Sequence, residues 1–452
     1  MTDAHLDRKL TLFPVTNIVI ANMIGAGIFT TSGLLMQDLQ NPLLMLLLWL
    51  VGGIIALCGA LSYGELGAAY PRAGGEYAFL SQLYHPMLGF LSGWVSLIAG
   101  FSAPIAASAI GFSEYLFRAF PQFSEYFVSN TIISEIWIKR LISVAVILLF
   151  TGIHLRGIRF GARVQNWLTL LKILLNVGLI FAGFTFGKGD WAHLSSDQSL
   201  IPSSLNWKTI GLSLMWIMFA YSGWNAATYI GSEIQNPKKN LPYSLLLGTG
   251  MVMILYFLIN LFYIYAVEPA EMKGVISISG LAAAKAFGGA MDSAISVMIA
   301  FALFSSLSAF LILGPRVYYA MARDHVFFKS LSDVDFKFHV PRRAIVLQSV
   351  IASLIALTGT FDQILTYMGF SLGIFPVFAV FGIFKLRRTK QSILPQPGFP
   401  ITSLIYIIAG LSILILAFME RPVESILALV TVSLGIPVYY YFRRQKNHAV
   451  IK

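Results

Sequence analysis

Apolar residues come along this chain in long blocks, hydrophobic on every side, separated by short polar stretches. A helix needs about 20 such residues to cross the hydrocarbon core of a bilayer. On that ruler the pattern predicts twelve membrane helices, near 12–38, 43–69, 76–117, 136–154, 162–186, 209–232, 243–267, 291–322, 343–360, 362–386, 400–419 and 423–442. Spans 3 and 8 exceed what a bilayer requires and are expected to tilt or project. Only Gly359-Thr360-Phe361-Asp362 marks a turn between spans 9 and 10. The loops near 118–135, 187–208, 268–290 and 324–342 are too short to fold alone, although 277–287 predicts a short amphipathic helix at the outer surface. The expectation is a single transmembrane domain over 1–452.

Composition agrees. Hydrophobic residues make up 57% of the 452, charged residues 11%, and the mean hydropathy is +0.76. A soluble domain carries about 25% charged residues, so this chain cannot cover a water-facing surface. The runs are also too long for barrel strands, which alternate over about 10 residues. The fold class is therefore an all-α integral membrane protein. Arg8 and Lys9 precede a first run that outlasts a signal-peptide core and has no small-residue cleavage site, so no cleavable leader is expected.

The net charge of +11 raises nucleic acid as a partner, but its placement argues otherwise. With the N-terminus inside, 22 of the 31 Lys and Arg fall on the cytoplasmic side and 8 outside, with Lys172 left within a span. That asymmetry is the positive-inside pattern. It predicts both termini in the cytoplasm and leaves a lipid bilayer, not nucleic acid, as the partner. Cys58 is the one cysteine, so no internal disulfide can form.

Two spans are interrupted where an apolar helix should continue. Span 1 carries Ile24-Gly25-Ala26-Gly27-Ile28-Phe29, and glycine costs roughly 1 kcal/mol against alanine in a helix interior. Span 6 carries Phe219-Ala220-Tyr221-Ser222-Gly223-Trp224-Asn225. Either alone suits a helix–helix packing contact. Both together, one repeat apart, predict two broken helices at the midplane and two five-helix halves of opposite orientation, over 12–186 and 209–386, with 400–442 as two additional helices. Each broken span is expected to be half-helix, break, half-helix. Unwound backbone at that depth survives only where it lines a cavity. Ala26, Gly27 and Ile28 would open a half-helix whose N–H groups suit a carboxylate. The carbonyls of Met23 and Ile24, and those near Phe219, Ala220 and Ser222, would accept from an ammonium. A zwitterion matches both ends. No Asp or Glu lies at either break in sequence, so a cationic substrate has no counter-ion there.

Lys172 sits among Leu170, Leu171, Ile173 and Leu174, too deep to snorkel easily. A buried charge in a membrane points to function. Glu65, Glu76 and Glu233 flank loops holding Arg72, Lys238 and Lys239, and read as solvated interface charge, with an inner gate as the alternative. Gly25 completes the first break, and Asn225 is expected to hydrogen-bond the broken backbone of span 6. Tyr318, Tyr319 and the tryptophans near span ends read as aromatic belts, and His154 as structural. Neither metal-ligand spacing nor a phosphate loop or hydrolase motif occurs, so no metal, cofactor or catalytic residue is expected.

The motifs GAGIF in span 1, YPRAGGEY at 70–77, GARVQNWLTLLK at 161–172, FAYSGWN at 219–225, EIQNPKKNLP at 233–242 and YYAMARD at 318–324 resemble the amino acid–polyamine–organocation (APC) superfamily of transporters. Within it the chain is most similar to the L-type amino acid transporter branch and its bacterial relatives, over about 10–440. The resemblance implies the LeuT-type fold, five plus five inverted helices and two more, and amino acid exchange or import by alternating access. It implies that main-chain N–H groups of Ala26, Gly27 and Ile28 bind the substrate carboxylate, that Phe219 is an aromatic gate, and that Ser222 lines the α-carbon side. It implies that Lys172 stands in for a sodium ion between spans 1 and 8. Animal members carry an outer-loop cysteine after span 3 that joins a glycoprotein partner. This chain has none there, so no disulfide-linked heavy subunit is expected, and a bacterial plasma membrane is favoured. Ser222 replaces a frequent glycine, which bears on accepted side-chain size.

The reading is a sodium-independent secondary transporter of neutral L-amino acids, working as an exchanger. A proton-coupled importer and a cationic amino acid or polyamine antiporter are the alternatives. A channel would need a continuous polar stripe or charged rings, and an enzyme clustered catalytic side chains. A rocker of two six-helix halves would not place breaks in spans 1 and 6.

Overall fold

The computed structural model of the chain describes residues 8, 10–123, 126, 134–194, 206–335, 338 and 340–450. Parts of the loops expected at 118–135, 187–208 and 324–342, with Lys9, Lys337 and the extreme termini, lie outside the described residues. Among the described residues, ten helices are long and apolar enough to cross a membrane. The two predicted spans missing from that set are spans 6 and 9. Span 6 breaks after only 14 residues, Trp207–Ala220, and span 9 is 17 residues, Arg342–Thr358.

Some boundaries follow local chemistry. Asn41 caps Pro42–Ala69, its side chain accepting from the Leu44 N–H, with proline in the first turn where no N–H is needed. Thr360 and Gln363 form a capping box that starts Phe361–Arg388, so the sparse turn signal at 359–362 does separate spans 9 and 10. The short helix expected within the 268–290 loop is Ile278–Phe287.

Span 3 is not continuous as expected. Helix Glu76–Leu83 stops, and a new helix begins at Pro86, whose ring is tolerated only in a first turn. Farther along, Ser96–Ser102 widens to a π-type turn ahead of Pro104. Proline cannot donate to the carbonyl one turn back and crowds it, so the ladder slips by a residue.

The helices pack around an interior closed by large side chains such as Trp49, Tyr63, Tyr115 and Phe29, all fully buried. Leu148, Leu149, Phe181, Ile254, Ile405 and Ile408 point outward and exposed, as a lipid-facing belt must. Trp137, Trp167, Trp191 and Trp207 are also exposed. Tyr318 is not a belt residue: it is fully buried, its hydroxyl 3.4 Å from the Ser96 carbonyl.

Candidate functional site

Span 1 leaves the α-helix at Met23. Ile24 and Gly25 are extended, and a second helix, Ala26–Leu39, starts at once. The first half therefore ends in free carbonyls and the second begins with free amides, opposite partial charges a few residues apart. Among the described residues, nothing accepts from the N–H groups of Ala26, Gly27 and Ile28.

Span 6 breaks where the polar residues predict, but not symmetrically. After Ala220 the chain turns through Tyr221–Asn225 and continues only as 3-10 turns, Ala226–Tyr229 and Gly231–Glu233, not as a second α-helical half. Gly223 sits at φ +97°, and a side chain there would meet Asn22 within 2.8 Å. A Cβ on Gly27 would lie 2.6 Å from the Ala220 Cα. Glycine is required at both points because the two breaks touch.

Three side chains tie the broken backbone to the surrounding helices. Lys172, fully buried on Ile158–Thr185, donates to the carbonyls of Ala21 (3.0 Å) and Ile24 and to Ser306 Oγ at 2.9 Å. Ser306, on Gly289–Arg323, donates to the same Ile24 carbonyl at 2.9 Å. The ammonium thus joins span 1 to span 8 through span 5. Tyr256, on Pro237–Ala266, reaches both breaks: its hydroxyl bonds the Met23 carbonyl and lies 3.0 Å from that of Ala220. The sequence reading passed over Tyr256, although a tyrosine and Asn260 in mid-span 7 were a usable signal. The Ile24 carbonyl, expected to be open to a ligand, therefore already holds two internal donors, Lys172 and Ser306, whereas the single Tyr256 proton leaves acceptor capacity on the Met23 and Ala220 carbonyls.

Directly between the breaks, walled by Gly25, Ala26, Gly27, Ala107, Phe219 and Ser222, the free space is only about 10 Å³, no more than one water needs. A second cavity of about 110 Å³ shares Asn22, Phe219, Ser222 and Phe310 with it and extends to Asn225, Tyr406 and Glu76. Phe219 is thus a wall common to both spaces. The Asn22 Oδ1, buried at their junction, has no hydrogen-bond partner.

Glu76 overturns two expectations. It is buried, 4% exposed, so it is not solvated interface charge. It also brings a carboxylate to the span 6 break, where the linear sequence shows none: Asn225 Nδ2 donates to its Oε1. Asn225 bonds Glu76 and Tyr229 with its amide, not the broken backbone. Glu65 is likewise buried, held by Arg387 at 2.7 Å and by Ser392 and the Gln396 N–H. Glu233 pairs with Arg316 at 2.7 Å, both about a tenth exposed. The partners are arginines from spans 8 and 10, not the neighbouring lysines. On the same face, the Leu10 N–H donates to the Glu233 carbonyl (3.0 Å) and its carbonyl accepts from Gln235 (2.8 Å), pinning the chain before span 1 to the segment after span 6. His154, bonded to Ser308 at 2.9 Å, is structural as expected. Among the described residues, no group of three or more His, Cys, Asp and Glu is placed to hold a metal.

A family model described as amino acid permease matches residues 10–439. The large neutral amino acids transporter small subunit 2 of Mus musculus is 28% identical over 96% of this chain and 81% of its own length. The serine/threonine exchanger SteT of Bacillus subtilis (strain 168) is 28% identical over 98% of this chain and 99% of its own. The b(0,+)-type amino acid transporter 1 of Mus musculus is 25% identical, covering 96% and 88%.

Proposed function

The chain belongs to the amino acid permease family, and on that premise we propose that it is a sodium-independent exchanger of neutral L-amino acids. It works by alternating access on the LeuT-type plan: two inverted halves over 12–186 and 209–386, with 400–442 outside the repeat. The observation that carries the reading is the set of unpartnered N–H groups at Ala26, Gly27 and Ile28, with Ala26 and Gly27 lining the small space that Phe219 and Ser222 also wall. A substrate carboxylate would complete them, charge-assisted and aligned with the helix dipole. Its ammonium would take the free lone pairs of the Met23 and Ala220 carbonyls, the Ile24 carbonyl being filled by Lys172 and Ser306.

Lys172 supports sodium independence, because its ammonium already supplies a positive charge among the span 1 carbonyls and Ser306. The tiny space between the breaks means that substrate must part spans 1 and 6 to enter. Exchange rests on the likeness to SteT, and neutral preference on the likeness to the large neutral amino acid transporter. The excess of Lys and Arg on that side supports a cytoplasmic Leu10–Gln235 face in a plasma membrane. Cys58 is buried within span 2, which leaves no thiol for a disulfide-linked subunit.

The test is uptake of labelled neutral amino acids into sodium-free proteoliposomes, empty or loaded with unlabelled amino acid. Uptake confined to loaded vesicles is expected. Equal uptake into empty vesicles refutes exchange, and a requirement for sodium refutes the role given to Lys172.

A further inference from the structure

Glu76 is a buried carboxylate on the wall of the cavity of about 110 Å³, and three neighbouring side chains donate to it. It opens helix Glu76–Leu83, where the free amides and dipole favour negative charge. Tyr63 donates to Oε1 at 3.0 Å, Asn225 Nδ2 to the same oxygen, and Tyr229 to Oε2 at 2.5 Å. Every one of these donors is neutral. Tyr406, from span 11, also lines the cavity, so the titratable groups facing Glu76 from span 2, the span 6 continuation and span 11 are all phenols. Among the described residues, no lysine, arginine or histidine pairs with it, whereas Glu65 and Glu233 each have an arginine. The cavity it faces opens onto Ser222 and Gly223 of the second break. A buried carboxylate without a cationic partner, on the wall of a space that continues from a zwitterion's site, is placed to meet a positive group.

We propose that Glu76 is a recognition site for a cationic nitrogen, receiving the α-ammonium or a basic side chain of substrate as it passes between the breaks and the N-terminal face. The inference rests on the transporter reading above and adds a specificity to it. Amino acids with basic side chains are admitted alongside neutral ones, because the counter-ion missing from the linear sequence is supplied in space. Amino acids with anionic side chains are excluded by like charge in a cavity of low dielectric.

The experiment uses the whole protein in sodium-free proteoliposomes exchanging labelled leucine, with unlabelled leucine, lysine, cadaverine and glutamate as competitors. The readout is the ratio of inhibition constants, whatever the absolute rate. In the wild type, lysine is expected to compete and glutamate not, and cadaverine, which has no carboxylate, to compete weakly. In Glu76→Gln the lysine-to-leucine preference is expected to fall at least about tenfold, the loss of one charge-assisted hydrogen bond, and glutamate to compete better. An unchanged ratio in Glu76→Gln overturns the proposal. So does a wild type insensitive to both lysine and cadaverine, a result that needs no variant to be active. An entrapped pH dye separates the other source of positive charge: proton movement coupled to exchange, and lost in Glu76→Gln, would assign the site to a proton and overturn it. Absence of leucine exchange in the wild type would instead refute the function from which the inference starts.

Discussion

Lys172→Met removes the charge at the centre of the site while nearly preserving side-chain length. In the native arrangement one ammonium serves three acceptors: the carbonyls of Ala21 and Ile24 and the Ser306 hydroxyl. After the substitution Ile24 keeps the Ser306 hydroxyl at 2.9 Å, so that carbonyl remains satisfied. Ala21 loses its side-chain donor near the end of a half-helix that offers no following amide. An orphaned buried carbonyl costs about 1–3 kcal/mol, and each hydrogen bond to a charged group contributes roughly 1.5–3. Removing a buried ammonium recovers part of this through relief of its desolvation. A net loss of about 3 kcal/mol from the arrangement that holds span 1 against span 8 is therefore reasonable. At 1.4 kcal/mol per decade that is about a hundredfold. The assay is sodium-free exchange of a neutral amino acid in proteoliposomes, with thermal unfolding in detergent measured alongside. Exchange is expected to fall by about two orders of magnitude, while the variant still purifies as a folded protein, because the scaffold packing is untouched. Exchange within threefold of wild type would refute the argument that this ammonium orders the break.

Gly27→Ala places a methyl 2.6 Å from the Ala220 Cα and 2.7 Å from its Cβ, neither of which can swing away. Overpacking of this kind costs about 1–3 kcal/mol, so the apparent substrate affinity is expected to weaken about tenfold or more in a binding titration. Arg316→Met leaves the Glu233 carboxylate buried without its partner and should lower stability by about 3–5 kcal/mol. The double variant with Glu233→Gln should recover much of that in thermal unfolding, and equal losses in the single and double variants would show the pair to be uncoupled.

The sequence by itself determined the membrane fold class, nearly every helix and the position of both breaks. These features are local. A run of twenty apolar residues has one way to satisfy its backbone in lipid, as a helix, and Gly25, Gly27, Ser222 and Gly223 interrupt such runs wherever the chain is later placed. Asn41 and Thr360 could likewise be read as caps from their immediate neighbours. Pro86 and Pro104 also carried a local signal, and it was the length of span 3 that masked them.

Tertiary structure alone decided what the charged and polar side chains face. Glu65 meets Arg387, Glu233 meets Arg316, and Glu76 meets Asn225 and Tyr229. Partners so far apart in the chain leave no periodicity to detect, and next to a loop a glutamate destined for burial looks like one destined for water. Tyr256 braces two breaks because span 7 happens to pass both. The asymmetry of span 6, α-helical before its break and 3-10 after it, appears only in the folded chain, where Gly223 lies close against Asn22. Helices in a membrane gain little from burying apolar surface against one another and settle by close packing and by satisfying polar groups. Which helix lies beside which, and therefore which carboxylate is left without a counter-charge, is fixed only when the whole bundle has assembled.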